Sequence, residues 1–201
     1  MAKRHITAIL LSLCLLPHTL RAQENGVKPH QWYVPDFVIG QFAGSIGFIS
    51  AGVGYNIFKD KGTIDLLIGY VPEFATGSKT LESITVKFTG HPLSIIVNEY
   101  VMYYPVTAGF YFSYTPGREY SSDLPSWYPD GYYWWSEAVR ANIFIGGKVD
   151  IAMNNAKSKR YFSPYYEIGT NEIKLVSYVQ NASSINIWEI LHAGIGVRYH
   201  F

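Results

Sequence analysis

This chain of 201 residues contains serines, histidines and carboxylates, the raw material of hydrolytic chemistry, and their spacing decides whether they can be used. Acyl transfer by a serine needs a base within hydrogen-bond reach, usually histidine, and an acid that orients it. Beyond the first 22 residues the histidines are His30, His91, His192 and His200, scattered along the chain, and the nearest approach to a serine is His91-Pro-Leu-Ser94. No run of His, Cys, Asp or Glu has the spacing of a metal site, and nothing implies a cofactor. The glycines at 40, 44, 47, 52 and 54 lack the strand, turn and helix context of a phosphate-binding loop. The single cysteine, Cys14, lies in an N-terminal apolar run, so disulfide and thiolate chemistry are excluded for the rest of the chain. The reading from these residues is a protein without catalytic residues.

A second set of polar residues is more informative. Asp65, Lys87, Arg140, Glu167, His192 and Arg198 each interrupt a stretch in which apolar residues recur at every second position. That period belongs to a β-strand, whose successive side chains point to opposite faces. Ile64, Leu66, Ile68 and Tyr70 share one face of a strand and Asp65 the other; Ile84, Val86 and Phe88 oppose Lys87. Val139, Ala141, Ile143 and Ile145 oppose Arg140, Asn142 and Phe144. Val106, Ala108, Phe110, Phe112 and Tyr114 alternate with Thr107, Gly109, Tyr111 and Ser113, and Ile49 to Ile57 alternate with Ser50, Gly52, Gly54 and Asn56. The tetrapeptide Lys59-Asp60-Lys61-Gly62 supplies a tight turn.

Two stretches read less cleanly. Residues 161–179 begin with Tyr166 and Ile168 opposite Tyr165 and Glu167, and the parity then slips near Gly169-Thr170-Asn171, which a bulge or a strand break would explain. After the slip Ile173, Leu175 and Val179 fall on one side. Tyr33 to Phe42 alternates weakly and contains Pro35, as a first or edge strand would. Counting both gives eight strands, with the last over residues 189–201 and short connections near 43–46 and 182–187.

The N-terminus has the order of a secretory signal: Lys3 and Arg4, an apolar run from Ile9 to Leu16, and Ala22 before polar residues. A cut after Ala22 leaves residues 23–201 as one domain, with 13 basic against 15 acidic residues and all 33 aromatics. That charge recruits no nucleic acid. The apolar run is too short to span a bilayer, which needs about 20 residues as a helix. Leu13, just before Cys14, is not the small residue that lipoprotein processing prefers.

The end of the chain is the most specific feature. Leu191, Ala193, Ile195, Val197, Tyr199 and Phe201 alternate with His192, Gly194, Gly196, Arg198 and His200, and the chain stops on an aromatic ring. In this the sequence resembles outer-membrane β-barrel proteins of Gram-negative cells, whose last strand alternates in this way and ends in an aromatic residue. The resemblance implies an all-β fold, a transmembrane up-and-down antiparallel β-barrel of about eight strands, in the outer membrane. It also implies contact with outer-membrane lipid and lipopolysaccharide, with Tyr199 and Phe201 serving as the signal read by the barrel-assembly machinery. An even strand number returns both termini to the periplasmic side. The turns near 59–62, 91–99 and 153–160 then lie inside and the long segment 115–135 outside.

On that fold Asp65, Lys87, Arg140, Glu167, His192 and Arg198 face the lumen, where Lys87, Arg140 and Arg198 share Asp65 and Glu167 as counter-charges. An eight-stranded barrel is just wide enough to be filled by its own side chains, which favours a plug of ion pairs over a gated pathway or ligand pocket. Outside, Trp127 and Tyr128 sit between prolines in the densest aromatic segment and are candidates for contact with sugar or lipopolysaccharide. The role implied is structural or adhesive, or the binding or porin-like passage of a small molecule. A lipid A-modifying acyl hydrolase or acyltransferase is the second reading. It lacks support because the His-x-Ser pair of lipid A deacylase barrels is missing. A soluble periplasmic β-protein is the third, separable by detergent dependence.

Overall fold

A computed structural model describes residues 33–77, 79–117, 138–153 and 160–201. The proposed signal segment and the candidate contact residues Trp127 and Tyr128 lie outside the described residues. Nine strands form: β1 Phe37–Ala43, β2 Ile49–Ile57, β3 Gly62–Val71, β4 Leu81–Gly90, β5 Ile95–Ile96, β6 Val101–Tyr114, β7 Val139–Ala152, β8 Tyr161–Asn171 and β9 His192–His200. Among the described residues three helices interrupt them: α1 Glu73–Thr76, α2 Glu172–Gln180 and α3 Ile187–Ile190.

All pairings are antiparallel. Each strand from β1 to β4 pairs with the next, β4 pairs with β6, and β6 to β9 continue in order. The pairing of β1 with β9, which sets Phe37 opposite His200 and Ala43 opposite Gly194, closes the sheet on itself. The result is an eight-stranded barrel, with β5 a two-residue addition alongside Met102 and Tyr103 of β6. Closure leaves none of the eight strands as an open edge, so every wall strand has partners on both sides. The rim where β1 begins and β9 ends is called here the terminal rim, and the opposite one the loop rim.

Local sequence accounts for the interruptions. Between β2 and β3 the chain reverses through Phe58, Lys59 and Asp60, which all take positive φ, with Lys61 N donating to Phe58 O at 3.4 Å. In β6, Tyr104 lies opposite Lys148 and Thr107 opposite Gly146, so Pro105 and Val106 together face Gly147. Proline has no N–H for the ladder and a bulge is where it fits.

Two sequence expectations are corrected here. Residues 173–179 are not strand: β8 ends at Asn171, whose side chain accepts a hydrogen bond from Lys174 N at 2.9 Å and so caps α2. Ile173, Leu175 and Val179 satisfy an alternating pattern by coincidence, while Leu175, Val176 and Val179 also satisfy the i, i+1, i+4 spacing of a helix face. The last strand accordingly begins at His192, not near 189, since Ile187–Ile190 is helical. The connection between β8 and β9 runs over residues 172–191 and is much longer than the sequence pattern suggests. In the first strand, Pro35 lies before the ladder, which starts at Phe37.

Candidate functional site

The wall sorts its side chains by parity. Outward stand Val38, Leu66, Ile68, Val86, Phe110, Phe112, Ile143, Ile145, Ile168, Ile195 and Val197, all exposed large hydrophobics. Tyr70 and Tyr114 occupy the loop-rim ends of β3 and β6, and Tyr55, Tyr199 and Phe201 lie toward the other rim. Inward stand residues that a soluble surface would carry, and they are buried: Gln41, Asp65, Lys87, Asn142, Lys148, Glu167 and Arg198.

Across the lumen, ion pairs join distant strands. Lys87 of β4 meets the carboxylate of Glu167 on β8, both side chains almost completely enclosed. Gln41 of β1 binds the pair together: its Nε2 donates to Glu167 Oε1 at 2.7 Å and its Oε1 accepts from Lys87 Nζ at 3.1 Å. Tyr165 Oη also donates to Gln41 Oε1, at 2.7 Å. The ammonium also lies 4.7 Å from the ring centre of Phe144 and 5.1 Å from that of Tyr165, in cation–π contact. A second pair is formed by Arg198 of β9 and Asp65 of β3, N–O 2.8 Å, with the guanidinium 4.9 Å from the Tyr165 ring centre. Asp65 and Lys87 are direct neighbours across β3 and β4, yet each carries its short ion-pair contact to the far wall. Buried charges demand such partners, because leaving one unpaired in a low dielectric is costly.

Nearer the terminal rim Lys148 pairs with Asp150 at 3.2 Å, and Ser163 donates to the same carboxylate at 2.6 Å. Below them Tyr161 stacks on His200 at 3.9 Å between ring centres and Phe37 packs against that imidazole at 4.6 Å. His91, just past the end of β4, is buried, and its imidazole is pushed down to a pKa of about 3 by that burial and then by the positive charges of Lys148 and Arg198.

Toward the loop rim Tyr111 Oη and His192 Nε2 lie 2.9 Å apart, and Thr85 and Ser113 hydroxyls 2.7 Å apart. The β1–β2 connection folds inward there, burying Ile46 against Leu67, Tyr111 and the other apolar lumen residues. Ser83 Oγ donates to the Ile46 carbonyl at 2.5 Å. That carbonyl comes so close to Gly69 that a Cβ there would clash with it, which accounts for glycine at this wall position.

Packing leaves little space. The central cavity, among Lys87, Thr107, Phe144, Glu167 and Arg198, measures about 10 Å³, the size of about one water molecule. A wider cup of about 460 Å³ opens at the loop rim between the 43–48 connection, Ser83, Ser113 and Arg140. Among the described residues no three His, Cys, Asp or Glu side chains gather as a metal site. No described helix is long and apolar enough to cross a membrane.

Placement of the sequence candidates is therefore uneven. Asp65, Lys87, Glu167 and Arg198 come together in the central lumen, and His192 stands above them on Tyr111. Arg140 does not share their carboxylates: it sits at the loop rim, where Nη1 lies 3.8 Å from Glu172 of α2. Its strand position two residues above Asn142 puts it at the mouth, out of reach of Asp65 and Glu167. Tyr199 faces outward against Phe162 with ring centres 5.1 Å apart, and Phe201 follows the strand in the open. Sequence reading put Tyr165 on the face of Glu167 without giving it a role, and missed Gln41, Lys148 and Asp150. Parity carried down β7 from Asn142 would have found the last two, whereas Gln41 lies in the weakly alternating first strand. Comparisons with protein-family models, characterised proteins and solved structures yield no match for this chain.

Proposed function

We propose that this chain is an exported outer-membrane β-barrel whose filled lumen makes it a structural or surface-presenting element of the cell envelope and not a diffusion pore. The observation that carries the reading is the inverted wall: large apolar side chains exposed around the outside while Asp65, Lys87, Glu167 and Arg198 are enclosed within. In water such a belt would be a liability far larger than the patches soluble monomers tolerate; in a bilayer it is the required lipid face, flanked by interfacial aromatics. A cavity of about 10 Å³ supports a closed interior. On this reading the loop rim faces outward into lipopolysaccharide, residues 1–22 direct export, and Tyr199 and Phe201 address the assembly machinery. On this reading the role is non-catalytic: the partner of His192 Nε2 is the Tyr111 hydroxyl at 2.9 Å and not a serine.

Fractionation with gel mobility before and after heating tests the reading. The protein should sediment with outer membranes, require detergent, and migrate faster unheated than boiled. Reconstituted in planar bilayers it should give no steady conductance. A detergent-free soluble monomer would refute the membrane assignment, and a stable porin-like conductance would refute the closed lumen.

A further inference from the structure

The connection that replaces the expected end of β8 has the polarity of a lipid-facing element. In α2, Ile173, Leu175, Val176 and Val179 are all exposed, and no residue of the helix is buried. At about 100° per residue these four side chains span an arc of about 160°, with Lys174 opposite its centre and the polar Glu172 and Gln180, the first and last residues of the helix, inside it. The less exposed residues are Glu172, whose carboxylate is turned to the end of β7, and Ser177 and Tyr178, which flank Lys174 on the polar side. A helix packed on a soluble protein turns its apolar stripe inward; α2 turns it away, as the barrel strands do.

The position of α2 gives that face a specific neighbour. It starts where β8 leaves the wall, and its first turn is pinned to the end of β7: Glu172 Oε2 accepts from Ala141 N at 3.0 Å. Outward-facing Ile143 and Ile168 lie next to that junction, with Thr170 between Ile168 and the helix covered and donating to the Ile190 carbonyl at 2.9 Å, so the apolar arc resumes the belt just beyond it. α2 begins at the rim where Tyr70 and Tyr114 end their strands. On the return segment Trp188 is 76 % exposed, beside exposed Ile187. Nine residues make a helix only about 13 Å long, suited to lying on a membrane and too short to cross it.

We propose that α2 lies in the plane of the outer leaflet, with Leu175, Val176 and Val179 on the acyl chains and Trp188 at headgroup depth, as an interfacial helix that extends the lipid contact of the wall. The occupant of this face is bilayer lipid. The inference rests on the membrane-barrel reading, and its test separates the two. Single cysteines are introduced in a Cys14→Ala background at Leu175, Val179 and Lys174, and at Ile145 and Ile168 on the wall. Each is spin-labelled in the full chain reconstituted into vesicles of phosphatidylcholine and lipopolysaccharide, after heat-modifiable mobility confirms the barrel.

Labels at 175 and 179 should be at least several-fold more accessible to dissolved oxygen than to a water-soluble nickel reagent, as at 145 and 168, with Lys174→Cys showing the reverse preference. If 145 and 168 behave as lipid-exposed while 175 and 179 favour nickel, the interfacial helix is refuted and the barrel reading stands. Labels at 175 and 179 shielded from both reagents would mean that protein covers the face, which also refutes it. Nickel-accessible labels at 145 and 168 would refute the barrel reading itself.

Discussion

Leu66 and Asp65 are consecutive residues of β3, yet the first is 50 % exposed and the second fully enclosed. The same contrast holds between Ile168 and Glu167 on β8 and between Val197 and Arg198 on β9. On the membrane reading proposed above the outer face is held by its fit to an apolar surrounding, whereas the inner face is held by pairs that reach across the lumen. On that reading the outer face should tolerate exchange among apolar residues, because lipid would conform to shape. The other is a set of specific partners, where loss of one strands another.

The largest effect should come from breaking that inner set. Asp65→Ala leaves Arg198 buried without its carboxylate and should destabilise the barrel by about 3–5 kcal/mol, read as urea unfolding in detergent micelles. Asp65→Leu combined with Arg198→Met should recover most of that loss, because a buried pair replaced together leaves no orphan charge. A double variant as unstable as Asp65→Ala would show that the pair does more than neutralise itself.

A charge placed on the outer face should cost somewhat less. Leu66→Arg, on a wall strand between Tyr55 and Tyr70 levels, should cost about 2–4 kcal/mol if that face meets the bilayer midplane, and Leu66→Phe almost nothing. Equal stability for Leu66→Arg and wild type would erase the contrast between the two faces.

The smallest effect concerns His91 at the terminal rim. Its folded pKa of about 3 lies below the ordinary value of 6.5, so the native state binds its proton less readily than the unfolded chain. The stability tied to the neutral imidazole is fully present above about pH 6.5 and is lost as pH falls toward 3. Unfolding midpoints measured at pH 8 and pH 5 should differ more in wild type than in His91→Gln. An unchanged difference would locate the acid sensitivity elsewhere.

Much of this architecture was legible as alternation. Apolar residues at every second position of β3, β4, β7 and β9 assign faces without knowledge of neighbours, because a strand's side chains must alternate. The same rule misled at residues 173–179, where strand and helix periods coincide over a few positions and the Asn171 cap decides between them. It was silent on Gln41, since an uncharged residue in a weak strand carries no sign of being the centre of a network.

The sequence by itself determined which side chains face in and which face out, the number of wall strands and the apolar character of the last one. These are local properties, set by backbone geometry within about ten residues. Only the tertiary structure decided the partners. Gln41 and Glu167 are 126 residues apart, and what brings them to 2.7 Å is the stagger of a closed sheet. That stagger also sends Lys87 to Glu167 and not to adjacent Asp65, and lifts Arg140 to the rim beside Glu172. Height around a barrel depends on the register of every strand pair together, a quantity that no single strand's pattern contains.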